Sequence, residues 1–115
     1  MKILILGAGK MGAFFVDLLS FEHETAVYDT DPKRLRFMYN TQRFTTIEEI
    51  EAFQPELVIN AVTLKYTLDV FRQVIPHLPK DCIISDIASV KTGLREYYST
   101  CGMRYVSTHP MFGPT

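Results

Sequence analysis

The stretch Gly7-Ala8-Gly9-Lys10-Met11-Gly12 follows an unbroken aliphatic run, Ile3 to Leu6, and no other feature constrains the chain as much. An apolar run without alternation suits a strand buried on both faces of a parallel sheet. Three glycines at this spacing permit a tight turn, close approach of another group to the backbone, and close packing of a helix on the strand. The helix that should follow is visible in Met11, Phe14, Phe15, Leu18 and Leu19, which recur at i, i+3, i+4, i+7 and i+8 on one face.

The same alternation continues to the end of the chain. Beyond Lys2–Leu6, strands are expected at Thr25–Asp29, Leu57–Val62, Ile83–Ile87 and Tyr105–Thr108, with a short edge strand at Phe44–Thr45. Between them, Asp31 followed by Pro32 is an N-cap with proline at the first helical position, opening a helix to about Met38. Thr46 and Glu49 have capping-box spacing ahead of Ile47, Ile50 and Phe53, and Pro55 ends that helix. Leu68, Phe71, Val74 and Ile75 mark another helix, closed by Pro76 and Pro79, and Leu94, Tyr97 and Tyr98 mark a last one. Six strands alternating with helices over 115 residues predict one α/β domain: a Rossmann-type, doubly wound, mainly parallel six-stranded sheet. Right-handed crossovers place every strand C-terminus at one edge, where open α/β sheets bind ligands.

That edge collects the chemistry. The glycine turn opens a helix whose first N–H groups are unpaired and whose dipole is positive, which suits a pyrophosphate. Asp29, 22 residues after Gly7, ends the second strand and has the spacing of a carboxylate that bonds the hydroxyls of an adenine ribose. Such a carboxylate repels a 2′-phosphate and favours NAD over NADP. Lys33 and Arg34 lie close enough in sequence to attract that phosphate instead, although as residues of the following helix they read more simply as exposed charges.

The last third carries a second constellation: Ser85-Asp86-Ile87-Ala88-Ser89-Val90-Lys91, then Ser107-Thr108-His109-Pro110-Met111-Phe112-Gly113-Pro114. With the G-x-G-x-M-G opening, these stretches resemble the prephenate and arogenate dehydrogenases, which carry D-x-x-S-V-K after the fifth strand and H-P-M-F-G-P or H-P-[IM]-A-G after the sixth. The resemblance implies that His109 is the catalytic histidine and Ser89 its hydroxyl partner. It also implies cofactor contacts from Gly7, Gly9, Lys10, Met11, Gly12, Asp29 and, past the fourth strand, Thr63. Pro114 stands where the H-P-[IM]-A-G members place a threonine, so that residue's role is not carried over. The resemblance covers the cofactor domain alone. The family's helical C-terminal domain, which supplies substrate contacts and the dimer interface, lies outside these residues, and a full-length homodimer is expected.

Other readings stay open on the sequence. They are an arogenate enzyme, another G-x-G-x-M-G hydroxyacid-type dehydrogenase, and a non-catalytic NAD-sensing domain. A net charge of −1 gives no reason to expect nucleic acid or an acidic membrane as partner. The apolar start is too short for a signal core or a membrane span. The two cysteines, Cys82 expected on a buried strand and Cys101 in a loop, form no metal-ligand spacing and fit a reduced cytoplasmic chain.

Overall fold

The computed structural model describes residues 1–87 and 93–107. Its strands are β1 Lys2–Leu6, β2 Glu24–Tyr28, β3 Gln42–Phe44, β4 Leu57–Asn60, β5 Ile83–Asp86 and β6 Arg104–Ser107. Its helices are α1 Lys10–Leu19, α2 Pro32–Leu35, α3 Ile47–Phe53, α4 Leu64–Val74 and α5 Leu94–Thr100, with a 3-10 turn at Ile75–His77 after α4. The strands form one six-stranded sheet in the order β3-β2-β1-β4-β5-β6, and each neighbouring pair is parallel. This is the Rossmann order, in which the chain reverses direction of winding between β1 and β4.

Alternate residues along the strands build two cores. Leu4, Leu6, Ala26, Tyr28, Val58 and Ile84 face α3, α4 and α5, meeting Ile50, Phe53, Phe71, Val74, Leu94 and Tyr98. Ile3, Ile5, Val27 and Ile59 face α1 and α2, meeting Val16, Leu35 and Met38. All four aliphatic residues of β1 are buried, as a central parallel strand requires. Truncating one of them, Leu4 to alanine, removes about 2–5 kcal/mol by the usual cost of a buried cavity.

Several element bounds differ from the sequence expectation, each for a local reason. Strand β2 stops at Tyr28, because the Asp29 side chain turns back to the glycine loop while its N–H still reaches the Phe44 carbonyl at 3.1 Å. Strand β4 stops at Asn60 rather than Val62, because the Asn60 amide oxygen accepts the Val62 N–H and turns the chain. The edge strand β3 is Gln42–Phe44, since Thr45 gives its N–H to Glu49 instead. Helix α2 ends at Leu35, and buried Met38 packs against the core from the turn that follows, its N–H bonded to the Leu35 carbonyl. Strand β5 ends at Asp86 and β6 begins at Arg104, each one residue before expectation. Cys82 is buried just ahead of β5 rather than on it, and Cys101 caps α5.

Candidate functional site

The three motif glycines meet different demands. Gly7 has φ +97°, and a Cβ there would press on the Val62 side chain at 3.2 Å and the Ala61 backbone at 3.3 Å. A Cβ on Gly12 would overlap the Gly7 carbonyl oxygen, so α1 lies on the turn only because Gly12 lacks a side chain. Gly9 differs: its backbone is extended, and a Cβ would meet nothing within 4 Å. The fold itself needs no glycine at position 9. Space at the N-terminus of α1, which a side chain would fill, suits a group that approaches the backbone from outside.

Asp29 is tied to that turn. Its side chain is 11 % exposed; Oδ2 accepts the Ala8 N–H at 3.0 Å and Oδ1 accepts the Asp31 N–H at 2.9 Å. Asp31 in turn caps α2 by accepting the Lys33 N–H at 3.0 Å. Each carboxylate oxygen of Asp29 keeps a second lone pair for a further donor. Arg34 Nη1 stands 4.0 Å from Asp29 Oδ2 with most of its side chain in solvent. The Tyr28 phenol is pushed up by burial first and by the Asp29 and Glu48 carboxylates next.

A buried polar knot shapes the opposite wall. Asn60 donates to the Thr67 carbonyl at 3.0 Å, and Thr67 Oγ1 donates to the carbonyls of Val62 and Thr63, both at 3.1 Å. Asn60 and Thr67 are almost fully buried, so these bonds are held in low dielectric and fix the 61–63 turn against α4. Thr63 caps α4 with its side chain making no cap bond. Between the two walls lies a cleft of about 500 Å³. Gly7, Gly9, Asp29, Thr30 and Arg34 line one side, Ala61, Val62 and Thr63 its floor, and Tyr66, Asp69, Val70 and Gln73 of α4 the other.

The structure thus brings Gly7, Gly9, Asp29 and Thr63 to one cleft at the C-terminal edge of the sheet. Of the remaining glycine-loop residues, exposed Lys10 and half-buried Met11 stand at the start of α1, and Gly12 packs against Gly7; none is on the cleft wall. Ser89 and His109 lie outside the described residues. The other histidines sit elsewhere: His23 just before β2, and His77 after α4 with Nδ1 3.2 Å from Glu51 Oε2. Sequence alone does not point to Asn60, Thr67 or the α4 wall, because an isolated Asn and Thr carry no periodic signal. Among the described residues no cluster of His, Cys, Asp or Glu is arranged to hold a metal, and no helix is long and apolar enough to cross a membrane.

Comparison with known proteins adds a lineage to this geometry. Residues 15–115 match the family described as "Prephenate dehydrogenase, nucleotide-binding domain", so the match begins after the glycine turn. A "Probable arogenate/prephenate dehydrogenase" of Methanocaldococcus jannaschii is 36 % identical over 74 residues, 61 % of this chain and 17 % of that protein. A prephenate dehydrogenase from A. aeolicus, solved in complex with hydroxyphenyl propionate and NAD+, superposes with a TM-score of 0.84 at 24 % identity. The superposition covers 96 % of this chain and 42 % of that one. The Synechocystis arogenate dehydrogenase gives 0.80 at 24 % identity, over 96 % of this chain and 41 % of its own. At these identities the structural likeness establishes the fold, and the chain spans less than half the length of each of these relatives.

Proposed function

This chain belongs to the prephenate dehydrogenase nucleotide-binding-domain family, and on that premise we propose that it is the NAD-holding part of an enzyme that oxidatively decarboxylates prephenate to 4-hydroxyphenylpyruvate in tyrosine biosynthesis. The observation that carries the reading is the hydrogen bond from the Ala8 N–H to Asp29, which joins the glycine turn and the strand-end carboxylate on one cleft wall. Gly7, Gly9 and the start of α1 would hold the pyrophosphate, Asp29 the adenine ribose, and Thr63 the backbone path beyond it. Lys10, Met11 and Gly12 serve as the first turn of the helix that faces the phosphates. Asp29 also argues for NAD over NADP, since Arg34 is 4.0 Å from that carboxylate and its charge is partly answered there.

When bound, NAD supplies the hydride acceptor. The chain's own contribution to the chemistry is proton transfer. His109, by the family resemblance, takes the proton from the ring hydroxyl of prephenate; neutral imidazole, with an ordinary pKa near 6.5, accepts a proton at physiological pH. Ser89 orients that imidazole and hydrogen-bonds the reacting oxygen. Loss of the ring carboxylate as CO2 leaves an aromatic ring and makes the reaction effectively irreversible. Substrate clamping and a homodimer interface belong to the remainder of a full-length cytoplasmic enzyme. Calorimetric titration of this chain with NAD and NADP, and assay of the full-length protein with NAD and either prephenate or arogenate, test the reading. Absence of NAD binding, or of NADH formation from both substrates, overturns it. Turnover of arogenate alone reassigns the substrate.

A further inference from the structure

Helix α4 has two faces. Thr67, Phe71 and Val74 are buried, whereas Tyr66, Asp69, Val70 and Gln73 recur at i, i+3, i+4 and i+7 along the cleft wall. That stripe runs two turns along the helix, about 10 Å. Tyr66 is half exposed and Val70 half-buried, so the stripe offers ring and aliphatic surface as well as polar groups.

The polar side chains of the cleft differ in what they are free to do. Asp29 is bonded to the glycine turn and to the Asp31 N–H, and Asp31 caps α2. Arg34 faces Asp29 at 4.0 Å, and Asp69 Oδ1 lies 3.9 Å from Arg72 Nη1 on its own helix. The Gln73 amide has no hydrogen-bond partner among the described residues, and it is the one primary amide on the cleft wall among them.

That group has a particular chemistry. Adenine carries an amino donor at C6 beside ring-nitrogen acceptors on either side. A carboxylate only accepts and a guanidinium only donates, whereas a primary amide does both from adjacent atoms. Glutamine and asparagine read adenine edges in nucleic acids by this pairing. The base hangs from the ribose assigned above to Asp29, and α4 is the wall across the cleft from that carboxylate.

We infer that Gln73 is the residue that selects adenine in this cleft. Its amide oxygen accepts from the C6 amino group, its amide nitrogen donates to a neighbouring ring nitrogen, and Tyr66 and Val70 cover the face of the base. The inference rests on the reading of the cleft as a dinucleotide site. It adds a choice of base, which the glycine turn and Asp29, assigned to phosphate and sugar, do not make.

The test is calorimetric titration of this chain and two variants with NAD and with etheno-NAD, in which a two-carbon bridge joins N1 and N6 and leaves no N6 hydrogen. Wild type is expected to bind NAD at least fivefold more tightly than etheno-NAD; a smaller preference overturns the inference. Gln73→Leu keeps the side chain's approximate size at an exposed position. It is expected to melt like wild type, to bind NAD at least fivefold more weakly, and to lose the preference. A folded Gln73→Leu chain that retains more than half of the wild-type preference shows that another group reads the base, and overturns the inference. If Gln73→Leu does not fold, Gln73→Glu decides: it keeps the acceptor and loses the donor, so NAD affinity within twofold of wild type overturns the inference and a fivefold loss supports it. A wild-type chain that binds neither dinucleotide overturns the functional reading, whereas one that binds both equally overturns this inference alone.

Discussion

A methyl group added at Gly12 would overlap the Gly7 carbonyl, whereas one added at Gly9 would meet nothing within 4 Å. Two variants in one motif should therefore fail in different ways. Gly12→Ala forces α1 off the turn and is expected to lose about 1–3 kcal/mol of stability, the usual cost of overpacking, seen as a lower Tm. Gly9→Val is expected to melt like wild type and to bind NAD at least tenfold more weakly, because the branched side chain occupies the space assigned to the pyrophosphate. Wild-type NAD affinity in a folded Gly9→Val chain would remove the glycine turn from the proposed site. Asp29→Ala is expected to weaken NAD binding by about 1–3 kcal/mol, the range for a bond to a charged group, and to improve NADP relative to NAD by releasing Arg34. Calorimetry with both dinucleotides checks it, and unchanged affinities would refute the role. At this scale the sequence pointed to the glycines and Asp29 as parts of one site, because their spacing after a strand is that of a dinucleotide fingerprint, and the structure brings Gly7, Gly9 and Asp29 to one cleft. The sequence did not disclose Asn60 or Thr67, whose partners are brought together only by the packing of α4 on the end of β4.

Among the elements, α3 was the most legible, because a capping box is written in adjacent residues. Thr46 Oγ1 accepts the Glu49 N–H, and Glu49 Oε1 accepts the N–H groups of both Thr45 and Thr46. Thr46→Ala is expected to cost about 1 kcal/mol, the usual value of an N-cap side chain, and to lower Tm in a thermal melt. The Thr45 N–H, foremost among these contacts, holds the Glu49 carboxyl below its ordinary range. A depressed folded-state pKa means that this stabilisation is complete above the ordinary carboxylate pKa and is lost as pH falls through the folded one. Glu49→Gln should thus melt below wild type at neutral pH and converge with it in acid; a constant gap would show that the charge is irrelevant. Element ends were less legible than element centres. Side chains of Asp29 and Asn60 terminate β2 and β4 through bonds that no hydrophobic period reports, and β3 carries polar Gln42 and Arg43 because an edge strand needs only one buried residue, here Phe44.

For the molecule as a whole, six strands and their crossovers enclose two cores among the described residues. The 115-residue chain is expected to fold alone and bind NAD, yet to turn over neither prephenate nor arogenate. Among the described residues Arg34 is the arginine on the cleft wall, while Arg36 lies over Phe37, Arg72 over Tyr97, and Arg104 bonds the Asp81 carbonyl. Nothing in that distribution clamps a dicarboxylate. Lost orientation removes an effect that can supply roughly 7–11 kcal/mol of a barrier. Substrate-dependent NADH formation by this chain at a rate near that of the full-length protein would place the whole active site within it. The class of fold was legible because strand and helix periods alternate without exception. The order of the strands follows from crossover handedness and the change of face between β3 and β4, not from any residue taken singly.

That order has a consequence for how the molecule is made. Strand β1 is synthesised first but sits in the middle of the sheet, with Ile3 beside Thr25 on one side and Leu57 on the other. A ribosome that has released β1 to β3 has produced a sheet with one long, apolar, unpaired border, the type of edge that recruits foreign strands. The chain cannot close that border until β4 emerges, so folding waits on a contact between distant parts of the polypeptide and is slow by nature. Nascent chains stalled before residue 57 should be those that chaperones hold, and release should follow once β4 has cleared the exit tunnel.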